Sequence, residues 1–238
     1  RPYIEEVFAP TERLKIAWTA ESWQPGSPVD PEVADCVAQV AHELERAGHE
    51  LVEASPVFAY EEYFRATLVA WSYGLNAGME MFAAMMGREV SEAYLEPVML
   101  SFCEYSKSLT AADMFMTQFV LNKFCRTFGK FFERYDLLLT PTLTKLPEPI
   151  GKYSKMRKDL DYTAFMRLCD GYRIHPPAAN ITGQPAISLP LGESKSRLPI
   201  GVQFMARFGE ESTLIRLASA LEKQMPWHDR IPPVHASR

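Results

Sequence analysis

The opening part of the chain combines short apolar runs with a helical repeat. RLKIAW (residues 13–18) predicts a short strand, and HELVEA (residues 49–54) predicts a second one. Between them, apolar residues recur every three or four positions, the spacing of one helix face: Val33, Val37, Val40, Leu44 and Ala47. Asp30 suits the N-cap, Pro31 the first helical position and Gly48 the position after the last turn. The pattern predicts a strand, helix, strand unit.

The middle of the chain has a helical pattern. Residues 60–86 contain few turn residues and many aromatic residues and methionines, so we expect a helix throughout. Thr110 and Asp113 have the spacing of a capping box, which predicts the start of a long helix that carries phenylalanines as far as Phe132. DLLLTPT (residues 136–142) is apolar on both faces of an extended chain and ends at a proline. It predicts a strand inside a sheet that is covered on both sides.

The last third alternates loops, strands and one helix. Residues 146–161 are rich in proline, lysine and glycine and predict a surface loop. The strands ISLPL and IGVQFMA are separated by the short polar segment GESKSRLP, so we expect antiparallel neighbours. A helix is predicted over residues 211–223, with four residues turned inward: Leu214, Leu217, Ala218 and Leu221.

These elements predict an α/β fold with part of a mixed central sheet covered by helices. The chain divides into a strand, helix, strand unit (residues 1–56), a helical region (residues 57–135) and a sheet-completing region (residues 136–238).

Composition narrows the possible partners and compartment. The net charge is −5 and the pI is about 5.6, without the basic stripe that phosphate backbones require, so nucleic acid is not expected as a partner. No apolar run reaches the roughly 18 residues that span a bilayer, and residues 1–10 lack a signal pattern, so no membrane association is expected. The four cysteines are widely spaced and predict reduced thiols. We expect a cytoplasmic protein.

Familiar catalytic and metal-binding motifs do not fit this sequence. HELERAGH holds His42 and His49, but the metalloprotease pattern requires a second histidine at the position of Arg46. Ser194, Lys195 and Ser196 fall in a predicted turn, where a solvated lysine keeps its proton and cannot act as a base. We therefore expect no metal and no cofactor.

One histidine, His175, precedes two prolines in a predicted loop, where it either lines a pocket or lies at the surface. A lone histidine in a loop is typical of a surface residue, so we expect His175 at the surface. An independent active site around His175 and Asp170 is the weakest alternative, because no third group orients the pair.

Three segments together resemble the carboxyl-terminal half of the amidase signature family. They are YDLLLTPT, NITGQPAISLPLG (residues 180–192) and LPIGVQFMARFGEESTLIRLASALE. FFERYD before the first segment and the Pro226–Trp227 pair after the last helix agree with this spacing. The opening strand, helix, strand unit is similar to the part of these enzymes that follows their catalytic region. The resemblance covers nearly the whole chain.

The resemblance implies an amidase that hydrolyses a carboxamide C–N bond through an acyl-enzyme and a Ser-Ser-Lys arrangement. In such enzymes the lysine and the serine-rich loop belong to the amino-terminal half. No catalytic residue is therefore carried over to this chain, which begins at Arg1. We expect the parent protein to act on a small-molecule amide, the amino-terminal half to be the partner of this chain, and the isolated chain to be inactive.

The resemblance and the local residues together suggest a substrate-binding segment. In NITGQPAISLPLG, Gly183 permits an unusual backbone angle and Pro185 fixes the entry into the strand. Asn180, Thr182 and Gln184 are then polar groups at the mouth of the strand. They either contact an amide substrate or satisfy the loop backbone, and both readings stay open. The aromatic and methionine-rich helices are expected to form the wall of a pocket for a linear, apolar substrate, as in enzymes that cleave aliphatic or ω-amino-acid amides.

Two further expectations concern the chain by itself. The alternative to a half enzyme is a naturally truncated, non-catalytic binding or regulatory module. If the amino-terminal half is absent, LLLT and ISLPL are expected to be exposed as apolar sheet edges and to promote self-association.

Overall fold

The computed structural model describes residues 2–232. Within that range the chain forms a five-stranded sheet and eight helices. The strands are β1 (Lys15–Trp18), β2 (Glu50–Glu53), β3 (Leu137–Pro141), β4 (Ala186–Glu193) and β5 (Pro199–Ala206). The helices are α1 (Tyr3–Glu6), α2 (Pro31–Arg46), α3 (Tyr60–Met85), α4 (Pro97–Lys107), α5 (Ala111–Phe132), α6 (Tyr162–Arg173), α7 (Pro176–Thr182) and α8 (Glu211–Gln224).

The sheet is mixed, with strand order β2-β1-β3-β5-β4. The strands β2, β1 and β3 run parallel, whereas β5 is antiparallel to both β3 and β4. This confirms the predicted α/β fold with a mixed central sheet. The parallel pairing of β1 and β2 around α2 also confirms the predicted strand, helix, strand unit.

Two apolar clusters cover the two faces of the sheet. One face packs against α2 and α8, and strand residues such as Leu137, Leu139 and Phe204 belong to the same cluster as the leucines of α8. The other face packs against an aromatic cluster built from α3, α5 and α6, into which Leu138 and Met205 project. Because neighbouring residues of β3 serve opposite clusters, every residue of that strand is buried, as the run of apolar residues predicted.

Helix ends follow the predicted caps. The Asp30 side chain accepts a hydrogen bond from the Glu32 N–H at 2.9 Å, and Gly48 after α2 has a φ of +97°. Thr110 and Asp113 form the reciprocal capping box at the start of α5. Between residues 2 and 232, no helix combines the length and the hydropathy that crossing a membrane requires.

The expected exposure of LLLT is wrong. β3 lies at the centre of the sheet, and Leu137, Leu138 and Leu139 are fully buried. ISLPL belongs to β4, which is an edge strand of the sheet in the described chain. Its leucines point into the core, and Arg230 donates hydrogen bonds to two of the strand's carbonyl oxygens at 2.9 and 3.1 Å. The edge is therefore partly covered by the segment that follows α8.

Candidate functional site

The segment NIT ends a helix instead of lying at the mouth of the strand. α7 stops at Thr182, and Gly183 adopts a left-handed conformation with a φ of +72°. The Thr182 hydroxyl donates to the Ala178 carbonyl at 2.8 Å, and Gln184 Nε2 donates to the Ala206 carbonyl at 3.2 Å. Asn180 is exposed on α7. Thr182 and Gln184 thus both make backbone contacts, which was the second of the two readings left open.

Thr182 and Gln184 also line a groove of about 650 Å³, which we call the α5–α7 groove. The end of α5 forms one wall of the groove, and the segment after β5 forms the opposite wall. The groove is lined by Gly129, Phe132, Glu133, Thr182, Gln184, Arg207 and Phe208, with Cys125 at one side. Asn180 is not part of this lining. The structure therefore brings two of the three predicted site residues into one cavity.

The charges around the groove are unequally paired. The Arg207 guanidinium is ion-paired with Asp136, and its Nε donates to the Phe132 carbonyl at 3.0 Å. The Glu133 carboxylate has no ion pair in residues 2–232. The Cys125 thiol contacts the Ile181 carbonyl at 3.5 Å, and burial raises its pKa, so it is a neutral thiol and not a nucleophile at pH 7. The free charge of the groove is negative.

A second polar feature, which the sequence analysis missed, lies across β3, β5 and β4. Thr140, Gln203 and Ser188 are aligned in register on the face that packs against α3 and α5. The hydroxyls of Ser188 and Thr142 are 2.6 Å apart, and a side chain at Gly201 would meet both at 3.2 Å. The Thr140 hydroxyl is buried without a hydrogen-bond partner in the described chain.

This polar strip lies at the carboxyl end of β3, which runs parallel to β1. In open α/β sheets, ligands bind outside the carboxyl ends of parallel strands. The signal that could have revealed it is the pair of residues Gly201 and Gln203, which interrupts an otherwise apolar strand.

His175 is buried, so its expected position at the surface is wrong. Its ring lies edge-on to Trp23, with centroids 4.6 Å apart, and Nε2 is 3.1 Å from the Glu21 carbonyl oxygen. Burial lowers the pKa of His175 to about 4, so the ring is neutral at pH 7. The residue ties the loop after β1 to the start of α7 and has no access to solvent.

Asp170 is the other buried titratable group that the sequence analysis named. It accepts a hydrogen bond from the Tyr60 hydroxyl at 3.3 Å, and burial raises its pKa to about 6. Beside it, Arg167 makes a two-pronged ion pair with Glu61 at 2.9 and 3.0 Å. In the described structure, Asp170 and His175 have different hydrogen-bond partners, so the pair does not form a His-Asp acid–base couple.

The serine and lysine residues of the β4–β5 turn make hydrogen bonds that stabilise the turn and do not form a catalytic pair. The Ser194 and Ser196 hydroxyls are 3.0 Å apart, and Ser194 accepts the Leu198 N–H at 3.0 Å. The Lys195 side chain is exposed, and its backbone N–H donates to Glu32 at 2.7 Å. None of the lysines in residues 2–232 is buried, so this part of the chain contains no desolvated lysine that could activate a serine.

The sequence model of the family described as Amidase matches residues 2–215. The chain belongs to the amidase family. AmiC of Mycobacterium leprae is 30% identical over 230 residues, which are 95% of this chain and 47% of that protein. The 6-aminohexanoate-cyclic-dimer hydrolase of Pseudomonas sp. is 26% identical over 237 residues, which are 98% of this chain and 48% of that protein.

This amidase-family chain also resembles solved structures. The structure of 6-aminohexanoate cyclic dimer hydrolase complexed with substrate has a TM-score of 0.87 and 25% identity. The match covers 98% of this chain and 49% of that one. This amidase-family chain thus spans about half the length of the relatives it matches.

Proposed function

We propose that the chain supplies the carboxyl-terminal half of an amidase that cleaves a carboxamide C–N bond to an acid and an amine or ammonia. The observation that supports this most directly is the match to about half of each relative over nearly the whole chain. Membership of the amidase family supports the hydrolysis of an amide. The proposal that the catalytic groups and this chain belong to two different halves of the enzyme requires a test.

The proposed chemistry is the Ser-Ser-Lys mechanism, with all three groups on the amino-terminal half. A serine attacks the carbonyl carbon while a bridging serine takes its proton, and a buried lysine accepts the proton from the bridging serine. The C–N bond breaks, the amine leaves with a proton, and water hydrolyses the acyl-enzyme. None of the lysines in residues 2–232 is buried, which supports the view that this half does not provide the base.

The proposed role of this half is to bind and shape the substrate. Thr182 and Gln184 line the α5–α7 groove, which lies at the amino end of β3 and therefore away from the polar strip, and we assign them, with Asn180 at the neighbouring surface, to substrate contact. The helices α3 and α5 expose many large apolar side chains, including Phe82, Met85, Phe115 and Phe119. Such a surface favours an unbranched aliphatic amide, and flexible methionines adapt to irregular shapes. The names of the relatives that act on a 6-aminohexanoate cyclic dimer agree with this class.

Complementation tests the proposal. The chain would be co-expressed with the amino-terminal half of the Pseudomonas 6-aminohexanoate-cyclic-dimer hydrolase, and each half would also be prepared alone. We expect hydrolysis of hexanamide only by the mixture, because only the complex brings base, nucleophile and groove together. Sedimentation velocity should show self-association of the isolated chain and a 1:1 complex with the added half.

Two outcomes would contradict the proposal. Turnover by the isolated chain would show that it contains its own catalytic groups. A clean monomer at micromolar concentration, without affinity for the amino-terminal half, would instead favour the non-catalytic binding or regulatory module.

A further inference from the structure

We infer that the α5–α7 groove binds a primary ammonium group carried on an unbranched alkyl chain. The inference rests on the proposed function in one respect, since an ω-amino acid or an alkylamine is a product class of the proposed hydrolysis. The argument for binding, however, uses only residues of this chain, and its test needs no turnover.

The first observation is a glycine inside a helix that nothing in the chain requires. Gly129 lies within α5 and lines the groove. A β-carbon at this position would meet no atom within 4 Å. Glycine in a helix interior costs about 1 kcal/mol relative to alanine. Gly74 and Gly78 of α3 have the same open surroundings, so what distinguishes Gly129 is its place in the groove lining, where the absence of a side chain leaves room for a molecule against the helix backbone.

The second observation is a buried hydrogen-bond acceptor without a donor, together with an exposed carboxylate on the same groove. Gln184 Oε1 is buried and has no partner in the described chain, although Nε2 of the same side chain is bonded to the Ala206 carbonyl. Glu133 carries the carboxylate that lacks an ion pair. An unpaired buried acceptor is costly and favours a ligand that donates hydrogen bonds. An ammonium group donates three and also carries the charge that complements Glu133.

The neighbouring charges support a cation and not an anion. Arg207 is the cation of the groove, but its charge is compensated by Asp136 and its Nε is used by the Phe132 carbonyl. Lys130 and Arg126, on the adjacent face of α5, line a different groove with Phe119. A carboxylate in the α5–α7 groove would therefore meet the charge of Glu133 and no free cation among its lining residues.

The remaining walls suit an alkyl chain. Phe132 is buried beneath the groove, and Phe208 is 79% exposed at its rim. An exposed phenylalanine loses water contact when an apolar chain packs against it. The volume of about 650 Å³ is within the range of small-molecule sites and holds a chain of several methylene groups.

The test is direct binding of n-hexylammonium chloride to the 238-residue chain, followed by heteronuclear NMR shift perturbation. We expect saturable binding at one site, with the largest shifts in residues 129–133 and 182–184. Hexanoate and 1-hexanol, at the same concentrations, serve as the anionic and neutral probes of equal length. Binding of either probe as tight as that of hexylammonium, or no saturable binding of hexylammonium, would overturn the inference.

Two glycine variants separate the ligand effect from the helix effect. Gly129→Ala should raise Tm, because alanine favours the helix, and should weaken hexylammonium binding about fivefold or more, because a methyl group enters the groove. Gly74→Ala is the matched control, since Gly74 is an exposed glycine of α3 that also has no atom within 4 Å of its added β-carbon. It should raise Tm and leave binding unchanged. Unchanged binding in Gly129→Ala would contradict the site.

A charge variant tests the class of ligand. Glu133→Gln should weaken hexylammonium binding roughly tenfold while leaving 1-hexanol binding unchanged, because only the cation uses the carboxylate. Glu222→Gln removes an exposed carboxylate from α8 and controls for net charge. Equal loss for both probes would contradict recognition of the ammonium. Failure of complementation with intact hexylammonium binding would sink the proposed amidase role alone, and the reverse result would sink this inference alone.

Discussion

At the scale of single residues, burial shifts the pKa values of two titratable groups in opposite directions. The burial of Asp170 favours its neutral acid, and the burial of His175 favours its neutral base. Burial disfavours the charged form of each group, so His175 is neutral at pH 7, whereas Asp170 is neutral only below about pH 6. Their contributions to stability therefore have opposite signs in the acidic range.

The raised pKa of Asp170 makes its contribution to stability fall as the pH rises. The folded state binds a proton more tightly than the unfolded chain, so the contribution to the free energy of unfolding is full below about pH 4. It is lost as the pH rises through about 6. The Asp170→Asn variant should remove up to about 3 kcal/mol of this dependence and should be at least as stable as the parent chain at pH 7. Urea unfolding followed by circular dichroism at pH 4.5 and 7 measures the difference.

The Asp35→Asn variant, which removes one exposed carboxylate from α2, controls for the change in net charge. A pH dependence in Asp170→Asn equal to that of the parent chain would show that the carboxyl does not titrate in this range.

For His175, the contribution to stability falls as the pH is lowered. Its folded pKa of about 4 lies below the value of a free histidine, so the contribution to stability is full above about pH 6.5 and is lost as the pH falls toward 4. His175→Gln retains a side-chain N–H for the Glu21 carbonyl but does not titrate. The difference in the free energy of unfolding between pH 7 and 4.5 should shrink by about 3 kcal/mol in the variant. An unchanged difference would contradict a buried, neutral His175.

At the scale of elements, a glycine of β4 leaves room for a cysteine of α2. A β-carbon at Gly192 would lie 2.3 Å from Cys36 Sγ and 3.1 Å from the β-carbon of Ile200. The glycine therefore allows α2 to pack tightly on the edge strand at the irregularity between Leu189 and Gly192.

Gly192→Ala should lower the free energy of unfolding by about 1–3 kcal/mol, since the added methyl group overpacks the contact. The double variant Cys36→Ala with Gly192→Ala should recover part of this loss, because the sulfur atom is the nearest obstacle. Equilibrium urea unfolding of the four proteins of this cycle provides the coupling energy. Strict additivity of the two substitutions would refute the proposed contact.

The elements that the sequence predicted are those whose signals are local. α2 has its cap, proline and glycine within one stretch, and β3 is a continuous apolar run. α6 and α7 were not predicted, because Gly171 and the two prolines at positions 176 and 177 suggest helix breakers. Pro176 instead starts α7, where its missing N–H costs nothing.

Contacts between distant residues explain the errors at the candidate site. The burial of His175 depends on Glu21, which is 154 positions away. The polar strip depends on the pairing of Ser188 and Thr142, which are 46 positions apart. The substrate contact predicted for Thr182 and Gln184 from their motif stays a prediction, and their joint groove with Gly129 and Glu133 depends on the packing of α5, which the motif does not contain.

At the scale of the whole molecule, the described chain combines one mixed sheet, two apolar clusters and the α5–α7 groove. The two clusters explain how this half of the proposed enzyme can fold by itself. In our proposal the catalytic groups belong to another stretch of protein, and the lack of a buried lysine in residues 2–232 agrees with a chain that is inactive alone.

The most direct test is intact-mass spectrometry of the isolated chain after treatment with a fluorophosphonate, with an active serine hydrolase in the same tube as the positive control. We expect complete labelling of the control and no added mass on this chain, because none of its described serines is hydrogen-bonded to a lysine or paired with another general base. Stoichiometric addition of the probe to a serine of this chain would contradict it.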